Sequence, residues 1–433
     1  MTPADTLPKP EDEQTDLPRA AVDPADEREP VDPALFEEMP DEPPFARAVE
    51  TTPLHLETAA ESKTNRWTSW NGYTVPDVLS DPDDEYRALR GAAALMDMSP
   101  LVKYRIAGRD ALAYLERLLA VPVASLAVDH ARHAIFCDGD GYVLGDGMLF
   151  RLAEDEYRLV TEETHLAWLS DSAEGFRVRV EDVSATLAVL ALQGPLSCLI
   201  LSELGIEDIA ALRPGAARWI AIGGMPVYVS RTGATGDLGY ELWCDAEDAP
   251  HVWRGIMMKG AAFGLKPGGF ALRELARLEA GHPRAGWDYL SAFAAIDAGD
   301  AMLPAAIWTG FEVDPSKGLF NGGAALCALA DRAPSRHVVR LAVQALEPVR
   351  FSAVFLGDTI VGTATSIGFS PSLGANIALA TVGSAALDAG GLSVLAERRD
   401  GLSVIQSRLP ARILGGPACA EPRRLMVPAP IRS

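Results

Sequence analysis

Ala134-Ile-Phe-Cys-Asp-Gly-Asp-Gly-Tyr-Val-Leu-Gly-Asp-Gly-Met148 holds the turn signal from which the fold can be read outward. Two apolar, β-prone runs, Ala134–Cys137 and Tyr142–Leu144, flank Asp138-Gly-Asp-Gly141. Asp-Gly between such runs favours a tight hairpin, because glycine takes the positive φ that the turn needs. A dinucleotide-binding loop would open into a helix, whereas a second β-like run follows here. A calcium loop is excluded too, since Tyr142 stands at the third ligand position and no Glu at the twelfth. Asp146 follows among Leu144, Met148 and Phe150, with Gly145 and Gly147 beside it. An acid in an apolar strand needs a partner or a task. Flanking glycines would let a ligand come close to the backbone. A turn cap is the alternative for Asp146.

Outward from the hairpin, Asp83–Met96 reads as a helix with an acidic first turn, Lys103–Ala107 as a strand and Arg109–Leu119 as an amphipathic helix. Strand-like runs continue at Met148–Leu152 and Tyr157–Thr161, and strands alternate with helices from Thr186 to Tyr240. Met225–Ser230 is the clearest strand; Pro250–Gly264 and Gly269–Ala280 read as helices. Beyond residue 335, His337–Val343, Val354–Leu356 and Ile377–Val382 are short strands between Gly, Pro and Ser, which suits a small antiparallel barrel or sandwich.

The chain has 433 residues, 48% hydrophobic and 23% charged, enough for two or three packed domains. No apolar run of about 18 residues occurs, so no membrane span is expected. The net charge of −22 argues against a nucleic-acid partner. Residues 1–50 contain seven Asp and eight Glu against one Lys and three Arg, with ten prolines. A disordered acidic arm is expected there, either a solvated tail or a segment that docks a partner or masks the protein itself. Five cysteines without a CxxC pair and an N-terminus without a secretory signal point to the cytoplasm. No metal ligand set is evident.

A second segment with chemistry is Ser230-Arg-Thr-Gly-Ala-Thr-Gly-Asp-Leu-Gly-Tyr-Glu-Leu242. Three glycines in seven residues make a shaped loop, and Glu241 opens an apolar strand. Such an acid can meet a planar donor array, for example an aminopyrimidinone, through paired hydrogen bonds. Pairing with a neighbouring Arg is the alternative. On the Gly269–Ala280 helix, Arg273 and Arg277 share a face, placed to hold an anion or to pair with Glu274 and Glu241. His282 has no HxxxH or HExxH context.

Taken in order, Asp97-Met-Ser, Asp138–Asp146, Ala191-Leu-Gln-Gly-Pro195, Arg231–Glu241, Arg277-Leu-Glu-Ala280, Lys317–Leu326 and Thr365–Gly374 with Ile377–Ala380 resemble the aminomethyltransferase family, the T-protein of the glycine cleavage system and its folate-dependent relatives. The resemblance runs from about residue 65 to 410. It implies an α+β fold: a ring of three subdomains around a central tetrahydrofolate channel, the last a small β-barrel. The domains expected are an arm over 1–50, a folate-binding region of two subdomains over 51–334, the barrel over 335–415 and an irregular tail over 416–433. By position, Asp146 matches the aspartate near folate N5, Glu241 the glutamate that binds the pterin, and Arg273 an arginine of the folate site. Arg231 and Tyr240 would brace the folate-side loop and count with the cofactor-binding residues.

Departures fall on the substrate side. The family's Gly-Tyr-Thr-Gly is Gly233-Ala234-Thr235-Gly236, its Asp-Asp is Gly145-Asp146, and His282, Pro283, Arg284 and Ala285 stand where the family has aromatics. These point to a one-carbon donor other than a lipoyl-bound aminomethyl group. The expected function is a tetrahydrofolate-dependent transferase, foremost a demethylase moving a methyl group from an O-, N- or S-methyl small molecule to N5. An aminomethyltransferase acting on an amine donor and a non-catalytic folate-binding regulator or scaffold are the alternatives. His282, with an imidazole that ordinarily titrates near neutrality, is the candidate leaving-group acid. Arg284 and Ala234 are the candidate substrate contacts, Arg284 for a carboxylate. A monomer or homodimer is expected.

Overall fold

The computed structural model describes residues 50–296, 300–308, 311, 314, 317–330, 332–344, 350–400, 403–415 and 422–428. The Asp-Gly hairpin forms from strands His130–Cys137 and Val143–Ala153, with Ile135 opposite Asp146 and His133 opposite Met148. Asp138 Oδ1 accepts hydrogen bonds from the backbone N–H groups of Asp140 and Tyr142, and Gly141 takes a φ of +85°. Glu156–Thr161, Val102–Ala107 and Arg179–Asp182 complete a five-stranded sheet. Alternation along the hairpin sends Phe136 and Leu149 to an outer core with Tyr104 and Leu115, against the helix Ala111–Leu118. Asp146, Met148 and Phe150 take the inner face.

Both glycines beside Asp146 serve packing rather than ligand approach. A Cβ on Gly145 would lie 2.6 Å from the Phe136 ring and 2.7 Å from His165 Nε2. One on Gly147 would lie 2.1 Å from the Val160 carbonyl oxygen on the next strand. The two positions are small because the strand is pressed against its neighbours.

A six-stranded sheet runs Ala217–Ile222, Met225–Ser230, Gly239–Asp245, Leu187–Gln193, Ala94–Asp97, Lys266–Gly268. One face packs under helices Ser197–Glu203 and Ala249–Gly260, around Leu190, Tyr240, Leu242 and Trp253. The other face meets the five-stranded sheet: Val189, Tyr228 and Trp243 pack with Phe150 and Val160. The helix Phe270–Ala280 follows directly on the last strand.

Where a single helix over Asp83–Met96 was expected, the helix runs Pro82–Gly91 and Ala94–Asp97 is a strand paired with Leu190–Gln193. Asp81 caps the helix by accepting from the N–H groups of Asp83 and Asp84. At its end, Ala92 leaves helical geometry with φ −134° and ψ −101°. Alanine and leucine favour helix locally, but burial of Ala94, Leu95 and Met96 in the sheet decides their state.

The C-terminal region is a closed six-stranded barrel, ordered Arg336–Val343, Ala375–Gly383, Thr359–Ser370, Ser352–Leu356, Leu392–Asp400, Ser403–Ile413. Leu341, Val354, Ala378 and Val394 fill it. The molecule is thus α+β with a C-terminal antiparallel barrel. The acidic arm lies outside the described residues except for Glu50, which is not arm but strand: it pairs in parallel with Tyr73. Within the tail expected to be irregular, Pro422–Leu425 forms a helical turn. Among the described residues no helix is long and apolar enough to cross a membrane.

Candidate active site

Between the two sheets lies a cavity of about 570 Å³. Its apolar wall is Met98, Leu101, Met148, Phe150 and Trp243; its polar groups include Asp146, His133, Glu241, Thr232, Arg273, His282, Arg284 and Arg424. The size falls within the range of small-molecule sites, and a mostly apolar lining with a few converging polar groups is their usual chemistry. Asp146 and Glu241 therefore converge on one space from facing sheets.

Glu241 enters the cavity because strand alternation turns it opposite to Tyr240 and Leu242. Burial pushes its carboxyl up, opposed by a hydrogen bond from Thr232 Oγ1 and by the charge of Arg424. Among the described residues, Thr232 is the only side chain bonded to that carboxylate, so acceptor capacity is left for a ligand. The loop before it is shaped by Gln193. A Cβ on Gly233 or Gly239 would lie 2.2 or 2.1 Å from Gln193 Oε1. Gln193 Nε2 donates to the Thr232 and Tyr240 carbonyls, and Oε1 accepts from Thr235 Oγ1. Ala234 of this loop is exposed and lines the cavity.

Tyr240 and Arg231 require correction as ligand contacts. Tyr240 is fully buried on the far face of the sheet and donates to the Ile209 carbonyl. Arg231 donates to the carbonyls of Leu212, Arg424 and Leu425, and so ties the C-terminal turn to the loop. Arg423 adds a second tie, 2.6 Å from Asp237 Oδ1. Arg424 is thereby brought to the cavity wall.

The arginines on the Phe270–Ala280 helix pair with carboxylates, though not with Glu241. Arg273 bonds Glu162 and lies 2.6 Å from Glu274, its guanidinium stacked 4.4 Å from the Trp70 ring centroid. Arg277 bonds Glu274 at 2.8 Å and Asp288 at 2.7 Å. Arg284 sits 3.4 Å from Glu162 and 3.5 Å from Glu274. Against the burial that would raise it, Arg277 and Arg273 hold the Glu274 carboxyl down to about 2. Three cations face three anions, so this wall of the cavity is close to neutral. Arg273 and Arg284 offer a ligand only the donors those carboxylates leave over.

His282 is exposed to the cavity, and the cavity walls around it lower its imidazole toward about 4, through desolvation first and then the charges of Arg424, His133 and Arg277. A lowered imidazole weighs against its expected role as a leaving-group acid charged near neutrality.

Three residues at the site escaped the sequence reading. His133 Nε2 lies 2.7 Å from Asp146 Oδ2. The Tyr289 hydroxyl donates to Asp146 Oδ1. Trp308 packs against both rings, at centroid distances of 5.2 and 5.5 Å. The hairpin register alone could have revealed His133, which lies diagonally across from Asp146 on the same face.

Comparison with known proteins identifies the family and fold. Residues 54–303 match the GCVT N-terminal domain, and residues 336–417 match the glycine cleavage T-protein C-terminal barrel domain. An aminomethyltransferase of Moorella thermoacetica is 34% identical over 348 residues, covering 78% of this chain and 91% of that protein. One from Bacillus subtilis is 33% identical over 322 residues, covering 73% and 86%. The crystal structure of glycine cleavage system aminomethyltransferase T from Bartonella henselae superposes with a TM-score of 0.74 at 25% identity, covering 87% of this chain and 99% of that one. The chain belongs to the aminomethyltransferase (glycine cleavage T-protein) family of tetrahydrofolate-dependent one-carbon transferases.

Proposed function

We propose that this protein takes a one-carbon unit from a carbon–nitrogen bond of a small amine donor and delivers it to N5 of tetrahydrofolate. The observation that carries this is the convergence of Asp146 and Glu241 on one cavity of about 570 Å³. The similarity to proteins named aminomethyltransferase favours an amine over an O- or S-methyl donor.

Tetrahydrofolate fits the residues present. Glu241 has an uncommitted acceptor facing the cavity, and Trp243, Phe150 and Met148 supply an apolar bed for a flat ring. When bound, it supplies the nitrogen that accepts the carbon. Glu241 would hold the pterin by hydrogen bonds to its ring N–H groups. Asp146 would accept a proton at N5. The sheets would exclude bulk water and hold donor and acceptor in register, which is worth several kcal/mol in such reactions. A methyl donor is the second reading. It is favoured by Ala234, which leaves open space at the cavity where the family's loop carries a tyrosine.

The test incubates the full chain with tetrahydrofolate and separate sets of amine, O-methyl and S-methyl compounds, and follows methyl- or methylene-tetrahydrofolate by mass spectrometry. Product from amines alone is expected. Product from O- or S-methyl compounds alone transfers the proposal to demethylation. No product from any donor, with folate still bound, leaves a binding protein.

A further inference from the structure

We propose that His133, held by Asp146, is the group that protonates the departing amine; this rests on the transferase reading above. A carboxylate only accepts hydrogen bonds. Asp146 Oδ1 is taken by the Tyr289 hydroxyl, and Oδ2 lies 2.7 Å from His133 Nε2, so the proton of that contact belongs to Nε2. Among the described residues Nδ1 of His133 has no hydrogen-bond partner, and the ring lines the cavity with 40% of its side chain accessible. The arrangement is the one a proton-transferring imidazole requires: one nitrogen fixed by a carboxylate, the other open to the reacting molecule. Trp308, edge-on to both His133 and Tyr289, keeps the two rings in place.

The groups facing His133 define its surroundings. Asp146 comes from the paired strand. His282 comes from the segment after the Phe270–Ala280 helix; Tyr289 of the same segment bonds Asp146, Arg424 of the C-terminal turn lies near His282, and Glu163 lies near Asp146 on the adjoining strand's exit. Of the two histidines at the cavity, only His133 is bonded to a carboxylate among the described residues.

The proton balance closes within this pair. The donor's carbon–nitrogen bond breaks with its electron pair on the amine nitrogen, which takes the Nδ1 proton of the His133 imidazolium. A carbon–nitrogen bond forms at N5, and the proton displaced there returns to the Asp146–His133 pair. No oxidant or reductant is needed.

The test uses the full chain carrying His133→Gln, which can keep a donor to Asp146 but cannot exchange a proton. A fall in kcat of about 10²–10³-fold is expected, with the tetrahydrofolate dissociation constant within threefold of wild type and one ionisation lost from the pH–rate profile. Nitrogen NMR of the ligand-free protein gives a readout apart from turnover. Neutral His133 should carry its proton on Nε2, and Asp146→Ala, which removes the acceptor, should abolish that preference. Turnover of His133→Gln within threefold of wild type, or a proton on Nδ1 of neutral His133, overturns the assignment while leaving the transferase reading intact. A wild type active only on O- or S-methyl donors removes the amine, and His133→Gln is then judged with that donor by the same criteria. A wild type silent on every donor overturns both.

Discussion

Glu241 meets two opposed demands. Burial raises its carboxyl, so the folded chain holds it ionised less readily than the unfolded chain does. Its contribution to stability is therefore greatest at low pH and is lost as pH rises through the raised folded value. Glu241→Gln should raise the melting temperature of the ligand-free protein at pH 7, by about 2 °C, and calorimetry would show it; an unchanged or lower value would mean that the charge is not a burden. Binding pulls the other way, since paired hydrogen bonds to a pterin are stronger from a carboxylate than from an amide. Asp146 and Glu241 were readable as functional because an acid inside an apolar β-run is conspicuous. His133 was not, because its importance arises only once the hairpin register sets it diagonal to Asp146. The environment of His282 was not legible either, because the cavity walls that lower its imidazole by desolvation, and the charge of Arg424 that adds to this, come from segments far away in sequence.

Among the elements, the hairpin strand around Asp146 works by close packing. Gly147 leaves no room for a Cβ before the Val160 carbonyl, so Gly147→Ala must push the two strands apart. A loss of about 1–3 kcal/mol in denaturant unfolding is expected, together with reduced turnover as Asp146 moves; stability within 0.5 kcal/mol of wild type would show that the strands yield freely. Strands bounded by Gly and Asp were legible from residue types. The Ala92–Met96 run was not, because its helical composition is overruled by pairing with Leu190–Gln193. Tyr240 was misjudged for a related reason: adjacency to Glu241 in sequence means opposition across a strand. The helical turn Pro422–Leu425 brings Arg424 to the cavity through ties to Arg231 and Asp237 that composition does not disclose.

For the whole molecule, short strands punctuated by Gly and Pro announced the barrel, and the motif order announced the family. The cavity between the sheets could not be read directly, since it depends on which faces meet. The core shared by Phe150, Val160, Tyr228 and Trp243 brings them together and leaves the space that Asp146 and Glu241 enter. Equilibrium titration of the full chain with tetrahydrofolate, comparing wild type, Glu241→Ala and Asp146→Asn, tests this convergence most directly. One site per chain is predicted, with affinity at least tenfold weaker in Glu241→Ala, as loss of hydrogen bonds from a charged group implies, and within about threefold of wild type in Asp146→Asn, whose turnover is nonetheless sharply reduced. Undiminished affinity in Glu241→Ala would contradict the shared pterin site.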